Sequence, residues 1–376
     1  MTSNALEPVH SEPVDAREPP PREPRDGLAL CLSGGGYRAM LFHAGALWRL
    51  HELGYLERLD RISSVSGGSI AAALLGLHWP PRSLEDDVVR PLRTLASKTI
   101  DLPAIVIGTL LPGSTVNGRV ARALRRHLLG DATLQDLPDH PRVVVNATSL
   151  QSGALFRFSK PFLWDYRVGQ VLSPQLSLAE AVAASAALPP YLSPAVLRFP
   201  AGTFAPETGQ DLQREPFTRR VVLTDGGVYD NLGLETAWKR ARTILVSDGG
   251  GRMKPEGRPA AEWLGQGYRV AHVIDNQVRS LRKRQVVNGF RSGLRDGAYW
   301  GIRSEVADFG LSDPLPCPPE DAAELAAVRT RMAALPEPIQ ERLVNWGYAI
   351  CDTAVRRHLA PEAAPGAFPY PRGIGT

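Results

Sequence analysis

The sequence predicts an α/β protein with a mainly parallel central sheet and helices on both of its faces. Three observations predict it. Short runs of Val, Ile and Leu recur along the chain, each bounded by glycine or polar residues. Segments with apolar residues at helical spacing lie between those runs. Two strand-to-helix junctions are rich in small residues, as tight turns over a sheet edge require.

The elements follow in order. Residues 1–26 carry Pro8, Pro13, Pro19, Pro20, Pro21 and Pro24 among many charges, with no apolar stretch of the kind a secretory leader needs. They are expected as a disordered tail. One domain is expected over residues 27–360, followed by a loose proline-rich end at 361–376. Leu28 to Leu32 reads as a buried strand that runs into Ser33-Gly34-Gly35-Gly36. Tyr37 to Leu53 reads as a helix, with Met40, Leu41, Ala44, Leu47, Leu50 and Leu53 at helical spacings and Gly54 as its stop. Ile62 to Ser66 is a second strand, and Gly67 to Leu77 a small-residue helix. Further strands are expected at Arg142 to Asn146, Arg220 to Thr224 and Thr243 to Ser247. Ser177 and Glu180 have the spacing of a capping box before an alanine-rich helix that stops at Pro189-Pro190. Residues 201–216 read as a loop, and 319–359 as helical. No repeat of fixed period is visible.

Composition narrows the partners. With 43 basic and 39 acidic residues the chain has a net charge of +4, too even a balance for a nucleic-acid binder. Cys31, Cys317 and Cys351 are few, odd in number and without metal-ligand spacing. A reducing, cytoplasmic setting is expected, with no metal and no cofactor. No run of about 18 apolar residues is present to form a spanning helix. The most apolar stretch, Ile100 to Leu111, reads either as a flap or bilayer-facing surface, or as an ordinary buried segment, with the buried reading slightly ahead. Arg279, Arg282, Lys283 and Arg284 form a basic run on a predicted helix. It is a solvated face or a contact for anionic headgroups at the membrane periphery, the first being the more common case.

Three motifs carry chemistry. Ser66 stands between a strand and a helix, in Ser64-Val65-Ser66-Gly67-Gly68. A serine on such a turn holds its hydroxyl above the sheet, where the helix N-terminus favours a developing anion. By itself the motif is more often a plain N-cap. Gly34-Gly35-Gly36 bares backbone N–H groups at a second helix start. It lacks the Gly-Lys-Ser/Thr of a P-loop, and it matches the dinucleotide pattern only in part. Beside a nucleophilic serine it reads as an oxyanion hole. Asp225-Gly226-Gly227 closes another predicted strand and supplies a carboxylate that could take the serine proton. Asp248-Gly249-Gly250 does the same, and spacing does not separate the two.

The order of these motifs resembles the patatin-like phospholipases. Gly34-Gly35-Gly36-Tyr37-Arg38 matches the family's glycine box, Ser64-Val65-Ser66-Gly67-Gly68 its serine motif, and Asp225-Gly226-Gly227 its aspartate motif. Leu134-Gln135-Asp136-Leu137-Pro138, Val145-Asn146-Ala147-Thr148 and Ala184-Ser185 through Pro189 are also similar to family stretches. The resemblance spans residues 27 to 250. The family's asparagine after its aspartate falls on Asn231, which favours Asp225 over Asp248. Ser64 stands where the family has a glycine. The resemblance implies a three-layer fold, a lipid or phospholipid ester as substrate, and a Ser66–Asp225 dyad. It implies an oxyanion hole from Gly34, Gly35, Gly36 and Gly67, with Arg38 supporting the loop. His272 and His358, the histidines after Asp225, look like surface positions and are not needed. The alternative is a non-catalytic lipid-binding or regulatory protein on the same fold, for which Ser64 is the one motif feature.

Overall fold

The structure is a computed structural model that describes residues 25–111 and 113–375. The chain runs β1 (Arg25–Leu32), α1 (Gly36–Glu52), β2 (Leu59–Val65), α2 (Gly67–Leu77), α3 (Arg90–Ala96), α4 (Asp101–Leu110) and α5 (Val116–Leu124). It continues through β3 (Arg142–Ser149), β4 (Leu155–Phe158), β5 (Phe162–Asp165), β6 (Gly169–Leu172), α6 (Leu178–Ser185), β7 (Ala195–Arg198) and β8 (Arg220–Asp225). Then follow α7 (Gly227–Asp230), α8 (Leu234–Trp238), β9 (Ala241–Asp248), α9 (Trp263–Arg291), β10 (Asp296–Gly301), α10 (Pro319–Ala327) and α11 (Glu337–His358).

The sheet has a parallel half and an antiparallel half. The order is β10-β9-β1-β2-β3-β4-β5-β6, with β8 and β7 branching from β3. Pairings from β10 to β3 are parallel; β4, β5, β6, β7 and β8 pair antiparallel. The central strand β1 shows why helices cover both faces. Leu28, Leu30 and Leu32 join the large core with α1 and α11, while Ala29 and Cys31 join a smaller one with α8 and Val286 of α9. Successive side chains point to opposite faces, so a strand apolar at both parities must be buried on both.

Helix α1 is buried along almost its whole circumference, Arg38, His43 and Arg49 included. It lies between the sheet and α11. A Cβ at Gly45 would strike the Val344 carbonyl, and one at Gly347 the Phe42 carbonyl. The two backbones therefore meet at their glycines.

Several expectations need correction. Residues 1–24 of the expected tail lie outside the described residues, as does Pro112. Arg25 and Asp26 already belong to β1. The end at 361–375 is not loose: Asn345 Nδ2 donates to the Tyr370 and Gly373 carbonyls at 2.8 and 2.7 Å, and Ile374 is buried in the core. Aromatic and aliphatic residues among its prolines supply that anchorage. Ser177 caps no helix with its side chain, because its backbone is drawn into a bridge with Thr133. The segment Ile100 to Leu111 is buried on one side only, with Ile100 and Ala104 in the core. It is α4, with Leu102, Val106, Leu110 and Leu111 exposed. Finally, the basic run on α9 is largely consumed by the protein: Arg279 pairs with Asp275, Arg282 with Glu235 and Lys283 with Asp248.

Candidate active site

β2 ends at Val65 and α2 starts at Gly67, so Ser66 makes the whole turn. Its backbone sits at φ 52°, ψ −117°. A side chain rarely adopts such a conformation, and it persists only where the surroundings over-determine it. They do so here through serines. The Ser66 N–H donates to Ser185 Oγ at 2.9 Å, and Ser185 Oγ donates to the Asn146 carbonyl at 2.6 Å. Ser69 Oγ lies 3.0 Å from Ser185 Oγ and donates to Ser64 Oγ at 3.0 Å. Ser64 Oγ donates to the Val144 carbonyl at 3.1 Å. The residue that departs from the glycine pattern is thus fully bonded in a fully buried setting. Burying a hydroxyl is costly only when it is left unpaired.

The glycine loop lies against this turn. A Cβ at Gly34 would be 3.2 Å from the Ser66 Cβ. A Cβ at Gly67 would run into the Gly36 carbonyl, so the loop and the start of α2 touch backbone to backbone. Gly36 itself sits at φ 61° beneath the Arg331 backbone, whose carbonyl accepts from the Tyr37 N–H at 3.0 Å. The N–H groups of Gly35, Gly36 and Gly67 take no partner among the described residues. Gly34 differs from expectation. Its N–H donates to the Asn231 carbonyl at 3.1 Å and is not free for an anion. Its part is to bring the loop close to Ser66.

Arg38 clamps the loop from behind. Its Nε and Nη2 donate to the Gly249 carbonyl at 3.1 and 3.0 Å. Nη1 reaches the Val328 carbonyl at 2.5 Å, and Nη2 the Thr330 hydroxyl at 3.0 Å. Burial and the nearby Arg279 lower its pKa to about 10, and it stays charged at neutral pH. Beneath the same loop lies His43, which the sequence reading passed over. Its Nε2 is 2.9 Å from the Ser33 carbonyl, so it carries the hydrogen, and its Nδ1 accepts from Ser247 Oγ at 2.8 Å. Burial lowers its pKa to about 4 and keeps it neutral. His272 and His358 are exposed, as expected.

Asp225 reaches Ser66 by a route the sequence did not indicate. It does not close a parallel strand beside β2. β8 pairs antiparallel with the end of β3, with Asp225 opposite Ala147, while the preceding Asn146 pairs with Val65. The branch of the sheet therefore sets Asp225 one register step from the serine turn. Its carboxylate accepts from the Gly227 N–H at 2.7 Å, and Ser66 stands near enough to lower its pKa. Burial raises its pKa, the Gly227 N–H and the nearby Ser66 oppose the rise, and it settles at about 6. Asp248 is held differently. Burial pushes its carboxyl up, but Lys283 at 2.6 Å, Tyr299 at 2.7 Å and the Gly250 N–H at 2.9 Å hold it at about 2. It is locked into an ion pair and receives nothing from Ser66.

The fold is α/β, with Ser66 alone at a tight strand-to-helix turn on the parallel half of its sheet. The chain belongs to the patatin-like phospholipase family, whose model matches residues 30–238. None of the curated proteins is similar enough in sequence to match it. Among solved structures it is similar to human GIVD cytosolic phospholipase A2, with a TM-score of 0.52 and 13% identity over 88% of this chain and 59% of that one. The same human protein in complex with methyl gamma-linolenyl fluorophosphonate gives a TM-score of 0.52 and 16% identity over 88% of this chain and 57% of that one. The chain thus spans less than three fifths of the length of these structures, and the likeness at this identity is one of fold.

Proposed function

We propose that the chain is a lipid acyl-ester hydrolase of the phospholipase A or lysophospholipase type, working through Ser66 and Asp225. The observation that carries this reading is Ser66 on its strand-to-helix turn with a buried carboxylate of raised pKa near it, beside N–H groups that take no partner among the described residues. Ser66 Oγ attacks the ester carbonyl carbon while its proton passes to Asp225. Negative charge develops on the carbonyl oxygen, within reach of the Gly35, Gly36 and Gly67 N–H groups. The intermediate collapses, the C–O bond to the alcohol breaks, and Asp225 returns the proton to the departing oxygen. Water then gives its proton to Asp225 and attacks the acyl-serine. The bond to Ser66 breaks, the proton returns to Ser66 Oγ, and a free fatty acid leaves.

Family membership supports a lipid ester as substrate. The outer face of α4 supports a place for acyl chains near the mouth. Its Asp101 bonds to Arg331, the residue that covers Gly36, and its exposed Leu110 is 74% accessible. Ser64 loses its force as an argument for a non-catalytic protein, because its hydroxyl is satisfied and the turn keeps its shape. Three free cysteines, two of them buried, fit the reducing, cytoplasmic setting we favour. The test is turnover of a panel of short and long acyl esters, in the presence of EDTA, by wild type and Ser66→Ala. We expect hydrolysis by the first alone. Equal rates would remove Ser66 from the mechanism.

A further inference from the structure

Helix α9 runs for 29 residues, yet only Val286 and Gly289 of it are buried. Its inner face binds the protein. Arg279 Nη1 donates to the Gly251 carbonyl at 3.1 Å, Arg282 and Lys283 make the ion pairs described above, and Tyr191 is near enough to Tyr268 to raise its pKa. Asp275 and Arg279 stand near enough to Asp225 to shift its carboxyl. This face walls the candidate active site.

The opposite face is apolar and bare. Trp263, Val270, Ile274 and Leu281 are spaced at near-whole turns along one stripe. They are 78%, 51%, 59% and 53% exposed. An apolar stripe of this length on a water-soluble surface calls for a partner.

Charge identifies the partner. Between residues 252 and 291 the chain has nine basic and three acidic residues, a formal +6, against +4 for the whole chain. Four of those cations meet carboxylates within the protein. Arg252, Lys254, Arg258, Arg284 and Arg291 are exposed. Arg252 and Lys254 line a cleft of about 440 Å³ with Tyr268, Arg269 and His272, on the side of α9 away from the stripe, whereas helical spacing puts Arg284 and Arg291 beside it. A second copy of the chain would bring the same positive face against this one. An anionic lipid surface offers acyl chains to the stripe and negative headgroups to the cations, as for helices that lie in a membrane interface.

We propose that the outer face of α9, with Arg284 and Arg291 at its edge, is a docking surface for anionic bilayers that sets the mouth over Ser66 against the lipid. The orientation toward a lipid substrate rests on the proposed hydrolase function; the docking itself does not. Vesicle co-sedimentation of the full chain tests it, using phosphatidylcholine with and without phosphatidylserine. Wild type and Ser66→Ala are expected to bind the phosphatidylserine vesicles equally. Trp263→Asp/Ile274→Asp and Arg284→Gln/Arg291→Gln are each expected to bind on the order of tenfold more weakly or worse. Both variants should melt like wild type and hydrolyse a short soluble ester at the wild-type rate. If wild type binds vesicles but no ester is turned over, the docking stands and the hydrolase reading falls. Equal binding by wild type and both variants would overturn the docking. So would equal binding to the two vesicle types, or a dimer of wild type that Trp263→Asp/Ile274→Asp dissociates.

Discussion

The Ser66 N–H donates to the hydroxyl of Ser185, 119 residues away, at 2.9 Å, and that hydroxyl in turn donates to the Asn146 carbonyl at 2.6 Å. Three elements, α2, α6 and β3, are thereby joined at a residue whose backbone sits at a positive φ that side chains rarely adopt. Ser185→Ala leaves the Ser66 N–H buried without an acceptor, at about 1–3 kcal/mol. A lowered Tm is expected, with a fall in kcat of roughly tenfold as the nucleophile loosens. Thermal melting and steady-state kinetics check both. An unchanged kcat would show that the turn holds its shape without Ser185.

Ser64→Gly makes the serine motif match the family pattern, yet a gain in activity is not expected. It removes a donor from the Val144 carbonyl and an acceptor from Ser69. The expected result is about 1 kcal/mol of destabilisation and a kcat within a factor of about three of wild type. A large rise in kcat would mean that Ser64 distorts the turn.

Asp225→Asn and Asp248→Asn should separate catalysis from stability. The first removes the acceptor of the Ser66 proton, with a loss in kcat on the order of 10⁴ and little change in melting. The second leaves Lys283 and Tyr299 facing a neutral amide, and lowers stability by about 1–2 kcal/mol, because Lys283 can turn to water. Its turnover per folded molecule should stay near wild type. The reverse pattern would exchange their roles.

The pH dependence follows from burial of Asp225. The group must be a carboxylate to take the serine proton, and its pKa is raised to about 6. Below that pH it is protonated and inactive, so kcat/KM for a soluble ester should fall about tenfold per unit as pH drops, and reach a plateau above it. A limb centred near the ordinary carboxylate value of about 4 would show that burial does not tune the base.

Gly36→Ala should act on turnover more than on binding. A Cβ there would be 2.5 Å from the Arg331 carbonyl and would have to keep φ 61°. The loop must shift, and with it the N–H groups beside Ser66. One displaced oxyanion donor costs about 2.7–4 kcal/mol, or roughly 10²–10³ in kcat, with KM little changed because the anion exists only in transit. A normal kcat would exclude this loop from the oxyanion site.

What the sequence made legible was local. α2 begins at Gly67 and ends at Leu77 as expected, and β1, β2, β3, β8 and β9 fall on the expected apolar runs, because a buried strand between glycine-rich turns declares itself in a few residues. The hairpins β4 to β6 were missed, since four-residue strands such as Leu155–Phe158 carry too short a pattern. The branch that places Asp225 was invisible, because pairing partners are not encoded in either strand alone. Ser185 appeared in a recognised motif, but its bond to Ser66 depends on how α6 packs over β3. The N–H of Gly34 was assigned to an anion because nothing near it in sequence announces the Asn231 carbonyl.

The most direct measurement is intact-mass and peptide mapping after treatment with an alkyl fluorophosphonate. The account predicts one adduct per chain, on Ser66, absent from Ser66→Ala and formed at least about a hundredfold more slowly in Asp225→Asn, which lacks the base. An adduct on another residue, or no adduct with the folded wild type, would contradict it.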